Sequence, residues 1–135
     1  MFWQNRLVHK SCSILDIPTI FTTDGPLGLR KAEGFDFTNS VPSICFPTAS
    51  ALASSWNPAL VQKMGETLEI ESQTNDFQIV LDAGVNMKRS PLLGRNFEYF
   101  SEYPVLAGEV AVSFINGLQS HGVRTSMKNA IITLI

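Results

Sequence analysis

Short apolar runs that alternate with longer helical patterns predict an α/β fold, built from βα units around a parallel sheet. A second observation narrows this. The long polar segments follow the strands, and the returns from helix to strand are short. An open doubly wound sheet and a piece of a (β/α)8 barrel both place functional residues at the C-terminal ends of strands. The loop asymmetry suits the barrel, whose active face carries long βα loops. The 135 residues make one domain. They supply about four βα units, half of the eight that such a barrel needs.

The elements read in order as follows. Ile17 to Thr23 is apolar and β-branched and stops at Asp24-Gly25-Pro26, a buried strand followed by a turn. Residues 30–48 are rich in Gly, Pro, Asn, Ser and Asp and form a long loop of the functional kind. Ser50 to Trp56, although rich in alanine, is the second candidate strand, and Trp56 reads as a packed core aromatic. Asn57 then caps a helix with Pro58 at its first position. Leu60, Val61, Met64 and Leu68 are its apolar stripe. Phe77 to Leu81 is a third strand that runs into Asp82-Ala83-Gly84. After a polar loop over 84–103, a helix starts near Pro104, with Leu106, Val110, Phe114 and Leu118 at four-residue spacing beside Ala107, Ala111 and Ile115. Gly122 terminates it, and Val123 to Asn129 is the fourth strand.

Composition narrows the function classes. The chain is 44% hydrophobic and 16% charged, enough apolar material for a core. A net charge of −2 with both signs scattered gives no reason to expect a nucleic-acid or anionic-membrane partner. No stretch of 18 apolar residues could span a membrane. Met1 to Lys10 lacks the apolar run of a signal peptide. Cys12 and Cys45 are expected as reduced thiols, and no Asn-x-Ser/Thr acceptor is complete. These features place the chain in the cytoplasm. His9 and His121 are isolated, so no metal is expected, and no motif calls for a cofactor. No Gly-x-Ser-x-Gly elbow occurs.

Three positions carry candidate chemistry. Asp24 ends a strand, where a carboxylate either organises its own turn or accepts hydrogen bonds from two hydroxyls of one sugar. Arg95 lies in a loop that mixes cations, carboxylates and aromatics, from Lys88 to Phe100. Aromatic faces there suit the C–H side of a sugar ring, and Arg and Glu bridge hydroxyls. The alternative is a salt-bridged loop, with Arg89 or Arg95 paired to Glu98 or Glu102. Lys128 stands among apolar residues, either at the wet end of its strand or in a polar pocket.

Three segments taken together resemble the N-terminal domain of family 3 glycoside hydrolases, within it most closely the bacterial β-glucosidase branch. They are Ile17 to Lys31 (IPTIFTTDGPLGLRK), Val41 to Trp56 (VPSICFPTASALASSW) and Gly84 to Pro104 (GVNMKRSPLLGRNFEYFSEYP). The similarity runs from about Ile14 to Lys128 in a domain over 1–135, with 129–135 a divergent tail. It implies the N-terminal half of a TIM-like barrel and a retaining enzyme with two carboxyl groups, acting on a β-glucoside or related sugar. It implies that Asp24, Arg95 and Lys128 bind sugar hydroxyls, and that Asn86, Arg89, Glu98 and Glu102 are loop scaffold.

The departures from the family pattern are equally specific. The family nucleophile stands in a Ser/Thr-Asp-Trp motif, and these 135 residues contain no Asp-Trp. The resemblance therefore places the nucleophile and the acid/base Glu beyond Ile135 and implies that this chain alone is inactive. Asn129 replaces the usual His after Lys128, and Leu27 replaces a common His after Asp-Gly-Pro. Tyr103 stands where an Asp normally caps the helix. A truncated, frame-shifted or split reading frame is the expectation that follows. The implied partners are a separately encoded C-terminal half or a second copy of the chain, since half a barrel leaves edge strands open and Ala130 to Ile135 is aggregation-prone. The rival reading is a non-catalytic sugar-binding or partner-completing module.

Overall fold

The computed structural model describes residues 7–25, 27–31 and 40–128. Its sheet has the strand order β1 (Leu7–His9), β2 (Ile20–Thr23), β3 (Ile79–Val80) and β4 (Arg124–Thr125). β2, β3 and β4 are parallel, with Thr23 opposite Val80 and Val80 opposite Thr125. β1 runs antiparallel to β2. Helices α1 (Ala49–Ser54), α2 (Pro58–Thr74) and α3 (Pro104–Leu118) share one apolar core with β3. Among the described residues, β1 and β4 are the outer strands of an open sheet, as expected of part of a barrel. No helix of the described residues is long and apolar enough to cross a membrane.

The two long helices follow the sequence pattern closely. The Asn57 side chain accepts from the Leu60 amide at 3.2 Å, and Pro58 opens α2. Val61 and Leu68 are buried, although Leu60 is exposed. In α3, Val110, Phe114 and Leu118 are buried with Ala107 and Ala111. Packing between the two helices depends on glycines. A Cβ on Gly65 would lie 2.5 Å from the Phe114 carbonyl oxygen, and one on Gly117 would lie 2.1 Å from that of Gln62. Only backbones without side chains come this close.

Of Ser50 to Trp56, expected as the second strand, Ser50–Ser54 are helical in the structure and Ser55 and Trp56 form a turn. Thr48 caps α1 by accepting from the Ala51 amide at 3.2 Å, and its alanines favour helix over strand. The second βα unit thus has no strand of its own among the described residues. The remaining strand of the sheet is β1, whose pairing crosses a short 3-10 turn at Ser13–Leu15 that the sequence pattern did not suggest. Trp56 is not a core aromatic. It is 68% exposed, in a left-handed turn (φ 51°) that swings it off the buried face of α1. The parallel ladders are also shorter than expected. Beyond β3 and β4, a single bridge joins Gly84 to Lys128. Pro26, residues 32–39 and the tail over 129–135 lie outside the described residues.

One buried carboxylate ties α2 to the turn between α3 and β4. Glu69 is fully buried and accepts from the Ser120 hydroxyl (2.6 Å) and from the amides of His121 (2.5 Å) and Val123 (3.4 Å). His121 Nδ1 is 2.9 Å from Oε2, the oxygen that also takes the Ser120 hydroxyl. Burial alone would raise the Glu69 pKa, but these hydrogen bonds outweigh it and hold the pKa below the ordinary value of 4.5.

Two outcomes are expected. Glu69→Ala should cost roughly 1.5–3 kcal/mol in urea unfolding at pH 7, because it removes the charged acceptor of several hydrogen bonds and leaves the buried Val123 amide without it. Since the folded pKa is the lower one, this contribution is complete above the unfolded value and is lost as pH falls through the folded value. The gap between wild type and variant should therefore narrow in acid. At the other helix, Tyr103 occupies the N-cap of α3 without a side-chain cap bond. Tyr103→Asp should restore the cap and add about 1 kcal/mol, visible as a higher Tm.

Candidate functional site

Asp24 follows β2, and its side chain is 38% exposed. The turn after it is closed by backbone and by Thr23. The Asp24 carbonyl accepts from the Arg30 amide at 3.1 Å, and the Thr23 hydroxyl donates to the Arg30 carbonyl at 2.7 Å. Gly25 and Gly28 hold positive φ values (154° and 140°) that a side chain would oppose. The carboxylate is left to face Lys128, whose Nζ is 3.7 Å from Asp24 Oδ2. Of the two roles open to Asp24 in the sequence, turn organisation is thus performed by neighbouring groups.

Lys128 reaches this point because its backbone is paired to the end of β3. Its amide donates to the Ala83 carbonyl (2.9 Å), and its carbonyl accepts from the Val85 amide (3.2 Å). Its Nζ also lies 3.6 Å from Glu98 Oε2. Glu98 is only 4% exposed, and its other oxygen takes a hydrogen bond from Arg95 Nε. Residues Asn96–Glu98 form a single 3-10 turn, which sets Arg95 and Glu98 three residues apart on one side. The result is a line of alternating charge: Asp24, Lys128, Glu98, Arg95. It crosses the C-terminal ends of β2 and β4 and the loop after β3.

The other loop residues divide into two groups. Asn86 accepts the Met87 amide at 2.9 Å and shapes the start of the loop. Lys88 reaches the Ser50 hydroxyl and so fastens the loop to α1; burial lowers its pKa. Arg89 and Glu102 are exposed and join no ion pair among the described residues. The pairing left open in the sequence is therefore Arg95 with Glu98. Of the loop aromatics, Tyr99 and Phe100 are buried and Phe97 is exposed, so Phe97 is the one whose ring is accessible.

Sequence reasoning passed over Asp82. It stands at the end of β3, with Leu81 N donating to Thr23 O (2.8 Å) on one side and Ala83 O accepting from Lys128 on the other. Burial raises its pKa to about 7. Lys128 pulls it down, Glu98 pushes it up, the Gly84 amide lowers it and Asp24 raises it. The signal that marked Asp24, a carboxylate just past a strand, was equally present here.

A profile described as "Glycosyl hydrolase family 3 N terminal domain" matches residues 3–130. This chain belongs to glycosyl hydrolase family 3. Among relatives, thermostable beta-glucosidase B of Acetivibrio thermocellus is 50% identical over 132 residues, which cover 95% of this chain and 17% of that protein. An exo-alpha-(1->6)-L-arabinopyranosidase of Bifidobacterium longum is 49% identical over 118 residues, 84% of this chain and 16% of that protein. The solved beta-glucosidase 3B of Thermotoga neapolitana, in complex with alpha-D-glucose, superposes with a TM-score of 0.81 at 37% identity. The match covers 90% of this chain and 17% of that one. The beta-glucosidase of Kluyveromyces marxianus gives 0.86 at 36% identity, covering 93% and 15%. This family 3 chain thus spans about a sixth of the relatives it matches, and its α/β fold is that of part of their N-terminal barrel domain.

The site geometry of this family 3 domain makes a stability contrast. Glu98→Ala removes a buried anion from between two cations and should cost about 3 kcal/mol, at the low end for a buried pair because Arg95 is half exposed. Glu102→Ala and Arg89→Ala should each stay within about 0.5 kcal/mol of wild type. Chemical denaturation of the three variants checks the contrast.

Proposed function

We propose that this chain carries part of the sugar-binding subsite of a β-glucosidase-type hydrolase, which cleaves O-glycosidic bonds of β-linked glucosides with retention. The observation behind this is the convergence of Asp24, Lys128 and the Arg95–Glu98 pair at one end of the sheet. A polyol needs acceptors and donors side by side. Asp24 accepts from two hydroxyls, while Lys128 and Arg95 donate to others. Glu98 holds both cations, and Asn86, Arg89 and Glu102 belong to the supporting loop. Retention requires a nucleophilic carboxylate and an acid about 5 Å apart across the bond. In this reading neither belongs to the 135-residue chain, which binds sugar and awaits the rest of the catalytic apparatus. A cytoplasmic setting fits the free thiols of Cys12 and Cys45.

A second reading is a non-catalytic, partner-completing half-barrel. The open edges at β1 and β4 favour it, since a separately encoded half or a second copy would cover them.

The test is an aryl β-glucoside assay on the purified chain, alone and after mixing with the C-terminal remainder of a relative. Alone, the expected turnover is background. In a complemented enzyme, Asp24→Ala should lower kcat/KM by about two or more orders of magnitude, since charged hydrogen bonds of roughly 1.5–3 kcal/mol each are lost. Turnover by the chain alone that Asp24→Ala abolishes would overturn the first expectation. Near-normal kinetics of the complemented variant would overturn the second.

A further inference from the structure

We propose that Asp82 is a positioning residue: its carboxyl sets where the Lys128 ammonium sits between Asp24 and Glu98, and through that ammonium it tunes the sugar subsite. The consequence for sugar rests on the reading of Lys128 as a hydroxyl donor; the effect on Lys128 itself does not.

The geometry starts from Lys128. Its Nζ stands 3.7 Å from Asp24 and 3.6 Å from Glu98, and neither contact has hydrogen-bond length. The ammonium is held by the balance of charges around it, so a third carboxyl nearby shifts that balance. Asp82 is fixed in place to do this. The backbone on either side of it is bonded to Thr23, the residue before Asp24, and to Lys128.

The surroundings of Asp82 leave it few charged neighbours. With Glu98 it lines a small cavity whose other walls are Ala49 and Leu52 of α1, Met64 of α2, Phe114 of α3 and Phe100. None of those residues titrates. Among the described residues, the charges that act on Asp82 are Lys128 beyond β4, Glu98 in the loop after β3 and Asp24 beyond β2. Asp24 and Glu98 are formally balanced by Lys128 and Arg95. Asp82 is the unbalanced fifth group, and its ionisation takes the cluster from neutral to one net negative charge.

This ionisation falls near neutral pH, since the Asp82 pKa is about 7. Below that pH the carboxyl is neutral and Lys128 is shared by two anions. Above it a third anion draws the ammonium toward the end of β3. A sugar hydroxyl then competes with one more carboxylate, so sugar affinity should fall as pH rises through 7. The expected change is about 3- to 10-fold, the worth of one hydrogen bond.

The experiment uses the whole chain with ¹³C-labelled lysine, which gives five Cε signals to separate. In wild type the Lys128 signal should titrate with a midpoint near pH 7, and Asp82→Asn should abolish that inflection. The same inflection in the variant, or none in wild type, overturns the proposal. Should Asp82→Asn fail to fold, Lys128→Met with the Asp82 carboxyl carbon observed replaces it. Loss of the cation should raise the Asp82 midpoint, and an unmoved midpoint overturns the proposal. D-glucose titrations at pH 6 and pH 8 then separate the two readings. Affinity that weakens with pH in wild type and is flat in Asp82→Asn supports both. A Lys128 response with no glucose binding at either pH supports the positioning role and removes the sugar reading.

Discussion

A buried carboxylate must be paired, and Glu98 imposes that constraint on the whole upper end of this domain. It is 4% exposed and meets two cations, the nearby Arg95 in its own loop and the sequence-distant Lys128. Satisfying it requires the loop after β3 to fold back on itself and the chain beyond β4 to bring Lys128, bridged to Gly84, within reach. Gly84 makes the fold-back feasible, because any Cβ there would lie 2.5 Å from the Glu98 carbonyl oxygen. Phe100, just beyond, packs on Phe114 of α3 with ring centroids 6.4 Å apart. The same loop that carries the charges is thereby anchored in the core.

The core in turn fixes where the strand ends lie. α2 and α3 touch backbone to backbone at Gly65 and Gly117. That contact leaves no slack for one helix to slide past the other. Glu69 holds the far end of the same pair by gathering Ser120, His121 and Val123, so the start of β4 is set by α2. Two buried carboxylates, Glu69 below the sheet ends and Glu98 above, therefore define both ends of the path from α3 through β4 to Lys128. Each does so through specific hydrogen bonds, which apolar packing alone would not direct.

How much of this was legible follows from the kind of signal each residue gives. Asn57-Pro58 and the four-residue spacing in α3 are local, and the structure reproduces them. The order of the parallel strands followed from βα alternation. The alanine-rich stretch 50–56 misled because a short apolar run fits a buried helix as well as a strand. The helix signal was the cap Thr48 just outside it. Trp56 misled for a different reason: a large aromatic is usually buried, and nothing local reveals a left-handed turn. β1 depends on long-range pairing, which has no local signature. Among the site residues, Asp24, Arg95 and Lys128 were singled out one by one, and Arg95 with Glu98 was one of the pairings the loop offered; that Glu98 also faces Lys128 was not legible. Glu98 looked like loop scaffold because its burial is a property of the fold. Asp82 shared with Asp24 the signal of a carboxylate just past a strand, but its raised pKa comes chiefly from burial, with Lys128 opposing and Glu98 adding, and burial is a property of the fold.

The alternation of sign along Asp24, Lys128, Glu98 and Arg95 has a consequence beyond stability. Charges lined up in this way neutralise one another at long range and so exert little pull on an ion. At short range the more exposed Asp24, Lys128 and Arg95 still present a strong acceptor or donor, because charged groups make the stronger hydrogen bonds. A surface of that kind favours a neutral ligand dense in hydroxyl groups over an anion or a cation. Three of the four groups come from different strand or loop ends, so the spacing between them is set by the sheet and its close-packed helices. The fold thus converts a single local demand, pairing a buried Glu98, into a row of fixed donors and acceptors. Asp82, at the end of β3 with its pKa raised to about 7 chiefly by burial, adds to that row a carboxyl whose charge changes near neutral pH.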